Sequence, residues 1–184
     1  MFIRSERLFL RPTWPEDWTE IHPLIDDVAL ARHMARAPWP YSPDHARAAA
    51  GVAQAARFPH FAITLPHGQG PGAPLVGMIG LAPCRDGAEL GFWIGRAHWG
   101  QGLATEAAGA VLAIARLLGH RRIYATHFAD NPAGGRVLAR HGFVPVGDLR
   151  LRYSAARGLA DLALVHRRDL AGAAPDPDAM AQAA

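Results

Sequence analysis

The pattern of apolar and polar positions divides the chain into short elements. Leu90 to Ile94 is an apolar run with β-branched and aromatic members, which predicts a buried strand. A glycine-punctuated turn follows, Trp99-Gly100-Gln101-Gly102-Leu103-Ala104, and then an uninterrupted helical pattern, EAAGAVLAIARLLG, that ends at Gly119. Upstream, Ile3 to Arg11 alternates weakly and predicts a first strand stopped by Pro12. Pro15-Glu16-Asp17 has the character of a helix start, with acidic groups on the positive end of the dipole. Two short helices are expected there, Asp17 to Asp26 and Val28 to Ala35. Pro38 to Pro43 is a rigid loop, and the Ala-rich Asp44 to Arg57 predicts a helix with Ser42 or Asp44 near its cap.

His60 to Leu65 and Leu75 to Pro83 predict two strands joined by a Gly/Pro loop, Pro66 to Pro74, and Arg85-Asp86-Gly87 a tight turn. Beyond the long helix, Arg122 to Phe128 predicts another strand. Asn131 to Gly142 predicts a short helix with Asn at the N-cap, Pro at the first position and Gly past the end. Phe143 to Val146, Leu149 to Tyr153 and Leu159 to His166 should close an antiparallel end. Ala171 to Ala184 is Ala-, Pro- and Asp-rich and reads as a frayed tail. Taken in order, the elements give an α/β arrangement with a mixed sheet.

Composition narrows the function classes. A chain of 184 residues, 50% hydrophobic and 19% charged, is ordinary for one globular domain. All 19 basic residues are Arg, yet the formal charge is only +3 and no basic run exceeds a pair, so nucleic-acid binding is not expected. No apolar run approaches a membrane span. The N-terminus lacks the long apolar core of a signal peptide, so a cytoplasmic protein is expected. The single Cys84 cannot form an internal disulfide, and the 10 His residues lack ligand spacing, so no metal site is expected.

The strand, Gly-rich turn and helix around residue 100 have the layout of an anion site. Turn N–H groups converge there, the helix start adds its dipole, and glycines admit close backbone approach. A P-loop needs a lysine, and the chain has none. A dinucleotide fingerprint needs Gly or Ala where Thr105 stands, and an acidic residue near Ile123 to Thr126. The third form of such a loop, Gln/Arg-x-x-Gly-x-Gly/Ala, fits with Trp99 in place of the first residue. On this loop the chain resembles the GNAT N-acetyltransferases. The longer WGQGLATEA and the opening SERLFLRPTWPEDW resemble their RimJ/RimL-type branch. ADNPAGGRVLARHGFVPVG resembles a second segment of that family, Asn-x-x-Ser/Ala-x-x-x-Leu-x-x-x-Gly-Phe.

This resemblance covers roughly residues 1 to 170, taken as one domain, with the tail 171–184 outside it. It implies the GNAT fold: a mixed, mostly antiparallel twisted sheet with flanking helices and a splayed central strand pair. It also implies acetyl-CoA as co-substrate and an amine acceptor, either small or a protein N-terminus, without a metal; a homodimer is left open. Gly100, Gln101, Gly102, Leu103, Ala104 and Thr105 would hold the pyrophosphate, with Trp99 packed beside them. Phe92, Trp93 and Ile94 would offer backbone groups to the pantetheine arm. Glycines 91 and 95 would ease a bulge where the strand leaves its neighbour.

Glu89 opens an apolar strand, where a charge is costly unless used, and it matches the general base of part of the superfamily. His127 and Asp130 are weaker candidates, and the phase of His127 with Ile123 and Ala125 favours a buried, hydrogen-bonded ring. Asn131 is an N-cap and, by resemblance, also a cofactor contact. The general acids usual in the family are replaced by Leu138 and Gly134. Two other readings stay open, a non-catalytic acyl-CoA-binding module and a nucleotide-binding regulatory domain.

Overall fold

The computed structural model describes residues 1–66, 73–147 and 149–170. The expected tail and most of the expected loop from Pro66 to Pro74 lie outside the described residues. Nine strands form one sheet: β1 (Ile3–Arg4), β2 (Phe9–Arg11), β3 (His60–Thr64), β4 (Leu75–Cys84), β5 (Gly87–Ile94), β6 (Arg122–Phe128), β7 (Val144–Pro145), β8 (Arg150–Ser154) and β9 (Leu159–Asp169). Their spatial order is β1-β2-β3-β4-β5-β6-β9-β7, with β8 also on β9. Every pairing is antiparallel except β5 with β6. The helices are α1 (Trp18–Ile25), α2 (Val28–Ala31), α3 (Pro43–Ala50), α4 (Leu103–Leu117) and α5 (Pro132–Arg140).

Strand alternation sends side chains to two cores. Phe61 and Ile63 of β3 join Val111 of α4 and Leu138 of α5 in one cluster, while Ala62 between them joins Ile21 of α1 and Ala46 of α3 in the other. Phe61 is fully buried, a burial worth roughly 1.5–3 kcal/mol for a side chain of this class. The helices therefore cover both faces of the sheet and hold β4, β5 and β6 at its centre.

Three expectations are corrected. The single first strand is two short strands that pair with each other, because the chain turns where Ser5 N–H donates to Leu8 O at 3.0 Å. The second short helix stops at Ala31 instead of Ala35. Its following carbonyls are drawn outward, Arg32 O accepting from Arg157 and Met34 O from Ser154 Oγ. The Ala-rich helix ends at Ala50 instead of Arg57. Gly51 follows, and Val52 is largely exposed, so the later residues present no apolar face for a helix to bury. Arg122–Phe128 and the Asn131-capped helix stand where the pattern placed them.

Candidate active site

Strand β5 is paired with β4 without a break, from Cys84↔Gly87 to Gly77↔Ile94. On its other side it meets β6 only at Ala88↔Ile123 and Glu89↔Tyr124. From Leu90 onward the two central strands diverge, while β6 stays paired with β9 along its whole length. The backbone groups of β5 that face the opening have no ladder partner there, although polar backbone groups normally find one. A cavity of about 310 Å³ occupies the opening, walled by Leu90, Phe92 and Trp93 on one side and Ala125, Thr126 and His127 on the other. Its size suits a small-molecule site.

The expected bulge at Gly91 is absent, since the β4–β5 register runs through it unbroken. A Cβ at Gly91 would meet nothing within 4 Å, so packing does not demand glycine there. Gly95 is different: a Cβ would come within 2.6 Å of Leu24 Cδ2, so this glycine serves close packing against α1. Phe92 and Trp93 line the cavity, whereas Ile94 is buried in the core. Trp99 is half-exposed, and its indole N–H donates to Ile94 O at 2.6 Å. It borders a second cavity with Val28, Arg32 and His33, and so packs beside the loop without entering the opening between the strands.

The loop from Gly100 into α4 leaves its N–H groups without partners. Gly100 and Gly102 have φ of +75° and +77°, a conformation that strains any residue with a Cβ. Among the described residues, no N–H from Gly100 to Thr105 has an acceptor, and the first one satisfied is Glu106 N, at 3.1 Å from Gly102 O. These are the orphan donors of a helix start, enlarged by the two glycine turns. Together with the dipole of the long α4, such donors are suited to an anion.

Glu89 lines the cavity and is nearly buried, with 13% of its side chain exposed. One carboxylate oxygen accepts from Thr126 Oγ1 at 2.9 Å and the other from Arg36 at 2.6 Å, with Arg152 at 3.3 Å from the first. Asp130 is absent from the cavity wall and is bound instead by Arg157 and Arg32. The Arg157 hydrogen bond, aided by the charges of Arg157 and Arg32, holds its carboxyl below the usual range although partial burial opposes this. His127 is half-buried; its Nδ1 bonds to Phe128 O at 2.8 Å, and its ring stacks on His166 at 5.0 Å between centroids.

Asn131 caps α5, its Oδ1 accepting from Gly134 N–H at 3.0 Å, and it also lines the cavity. Leu138 is buried in the core beside it. A Cβ at Gly134 would sit 3.0 Å from Asn131 Nδ2 and 3.4 Å from His127 Cβ. The cap and His127 thus leave little room for a side chain at this position. Sequence reasoning missed Thr126, Arg36 and Arg152. Thr126 carried a faint signal, a polar β-branched residue two positions past Tyr124 on the strand beside Glu89. Arg36 and Glu89 lie 53 positions apart, and only the fold brings them together.

Among the described residues no group of three or more His, Cys, Asp or Glu is placed to hold a metal ion, and no helix is long and apolar enough to cross a membrane. The family described as the acetyltransferase (GNAT) domain matches residues 7–144. The chain is 40% identical over 80 residues to the uncharacterized N-acetyltransferase YoaA of Bacillus subtilis, covering 41% of this chain and 45% of that protein. It is 32% identical over 80 residues to the ribosomal-protein-serine acetyltransferase of Escherichia coli, with the same coverage, 41% and 45%. It thus spans less than half the length of these curated relatives. Among solved structures it is similar to RimL, the ribosomal L7/L12 α-N-protein acetyltransferase in complex with coenzyme A. There the TM-score is 0.74 at 19% identity, over 92% of this chain and 98% of that one.

Proposed function

The chain belongs to the GNAT acetyltransferase family, and by its resemblances to the RimJ/RimL-like branch, and we propose that it transfers an acetyl group from acetyl-CoA to a primary amine. The observation that carries this reading is the divergence of β5 from β6 after Glu89, which leaves unpaired strand backbone beside an open cavity. A pantetheine arm is a linear chain of amides with the donors and acceptors to pair with such backbone. The free N–H groups from Gly100 to Thr105 suit the diphosphate of coenzyme A. RimL, on the same fold, is known with coenzyme A bound.

Both substrates sit together in this reading, and proximity supplies much of the rate. The amine nitrogen attacks the thioester carbon, polarised by a backbone N–H of the Phe92–Ile94 stretch. The C–N bond forms and the C–S bond breaks, the amine proton passes to Glu89, and the thiolate takes a proton from water. With a thiol pKa near 8.5, release unprotonated at neutral pH costs only about 2 kcal/mol, so the apolar Leu138 does not block turnover. The acceptor is a protein N-terminus or a small amine.

The test is turnover. Purified protein, acetyl-CoA and a panel of peptides, amino acids and polyamines are followed by release of free thiol and by the mass of the product. Acetylated amine in step with thiol is the expected result. Coenzyme A binding without product on any amine would make the chain an acyl-CoA-binding module instead.

A further inference from the structure

We propose that Arg7 is a positioning residue for the loop at Gly100 to Thr105, fixing the peptide whose N–H meets the donor's diphosphate; the proposal rests on that loop being the acetyl-CoA site. The guanidinium of Arg7 makes two separate bonds to this region. Its Nε donates to Glu106 Oε2 at 2.7 Å, and another of its nitrogens donates to Gln101 O at 3.0 Å. The remaining nitrogen lies 3.6 Å from where a Cβ of Gly102 would stand.

The carboxylate that orients Arg7 is itself held. Glu106 Oε1 accepts from Ser5 Oγ at 2.6 Å and from Arg7 N–H at 2.7 Å. Partial burial pushes the Glu106 carboxyl up, but the hydrogen bonds from Ser5 and Arg7 outweigh it and keep it below the usual range. Glu106 stands in the first turn of α4, where the dipole favours an anion. Two motifs far apart in the chain, Ser5-Glu6-Arg7 and the Gly-rich loop with Glu106, are therefore one device.

The device acts on one peptide plane. In a trans peptide the C=O and the N–H point in opposite directions. Arg7 holds the carbonyl of Gln101, so the N–H of Gly102 is turned to the side away from Arg7. Glycine takes positive and negative φ with similar ease, so the Gln101–Gly102 peptide has no intrinsic bias against flipping. A flipped plane would offer the phosphate a carbonyl oxygen. Fixing it beforehand lowers the ordering that binding must supply.

A residue that only tacks the N-terminal turn to α4 would affect any acetyl donor equally, whereas a loop-positioning residue matters only for a donor with phosphates. The experiment compares acetyl-CoA with S-acetyl-pantetheine, which has none, for wild type, Arg7→Met and Arg7→Lys, with melting curves to confirm folding. Lys keeps the charge and the fold but lacks the fork that reaches Gln101 and Glu106 together. For both variants we expect the KM for acetyl-CoA to rise roughly ten- to hundredfold, the range for a hydrogen bond to a charged group. We expect kcat to hold, and kcat/KM with S-acetyl-pantetheine to match wild type. Equal loss on both donors, or none on either, overturns the proposal. A wild type that does not prefer acetyl-CoA to S-acetyl-pantetheine overturns the loop as the diphosphate site, and the proposal with it.

Discussion

Thr126 Oγ1 donates to Glu89 Oε1 at 2.9 Å, a side-chain bond between β5 and β6 just past their last backbone pair, Glu89↔Tyr124. The carboxylate is thereby fixed at the point where the strands open, beside the cavity and between Arg36 and Arg152. If Glu89 takes the proton from the acceptor, the size of its effect depends on the acceptor. Deprotonating a lysine-like amine at pH 7 costs about 4–5 kcal/mol, and an α-amine about 1 kcal/mol. A well-placed base is worth roughly 10²–10⁴ in rate. Glu89→Gln should therefore lower kcat/KM strongly on a lysine-like or polyamine acceptor, with the deficit shrinking as pH rises toward 9. On an α-amine the fall should be smaller. Wild-type rates at every pH would remove Glu89 from the mechanism.

Thr126→Val keeps the volume near Glu89 and removes the bond. A smaller loss of kcat than in Glu89→Gln is expected, with the donor KM unchanged. A loss confined to the KM for acetyl-CoA would place Thr126 in donor binding instead.

Gly102 has φ of +77°, and a Cβ there would meet only Arg7, at 3.6 Å. Gly102→Ala therefore puts strain of about 1–2 kcal/mol into the loop without a clash. The expected result is a folded protein with weakened coenzyme A binding by calorimetry. Unchanged affinity in the folded variant would remove the loop from the diphosphate site.

Asn131→Ala deletes the side-chain cap of α5. Caps of this kind are worth about 0.5–2 kcal/mol, and about 1 kcal/mol corresponds to roughly 2–4 °C in Tm at this chain length. A Tm drop in that range is expected. No shift in Tm, with a raised KM for acetyl-CoA, would show that Asn131 acts on the donor and not as a cap.

Much of this architecture was legible because local signals agreed. Helix α5 carries Asn131, Pro132 and Gly142 at its boundaries, and β6 is a short apolar-rich run between the Gly119 and Asn131 signals. The loop glycines marked the turn before α4. What could not be read depended on distant partners. The turn at Ser5 is braced by Glu106 from another motif, and the carbonyls that follow α2 are bound by Arg157 and Ser154. Two companions of Glu89, Arg36 and Arg152, come from a loop and an edge strand, and nothing in either pattern points to a carboxylate partner. The bulge expected at Gly91 was wrong because the opening arises from the path of β6, which follows β9, while β5 stays straight along β4.

Acid should weaken the fold in two stages. Burial, opposed in part by a backbone contact at Phe58, lowers the pKa of His60; burial and the neighbouring His127 lower that of His166. The unfolded chain then binds more protons between those folded values and about 6.5, so this stability is present above pH 6.5 and is lost as pH falls through that window. The depressed Asp130 carboxyl adds a second loss as pH falls below about 4. Urea midpoints should fall from pH 7.5 to pH 5.5, and His60→Leu should flatten part of that slope. A midpoint that rises toward pH 5.5 would contradict the neutral, buried state of these rings.

The central claim is that acetyl-CoA lies in the opening between β5 and β6 with its diphosphate on the loop before α4. A crystal structure of the complex tests it most directly. Phosphate oxygens are expected within about 3 Å of N–H groups between Gly100 and Thr105, the usual hydrogen-bond length. The pantetheine amides are expected on the free edge of β5 from Leu90 to Ile94, and the thioester near Glu89. Coenzyme A seated elsewhere, for example in the second cavity beside Trp99 and Val28, with the opening between β5 and β6 empty, would contradict it.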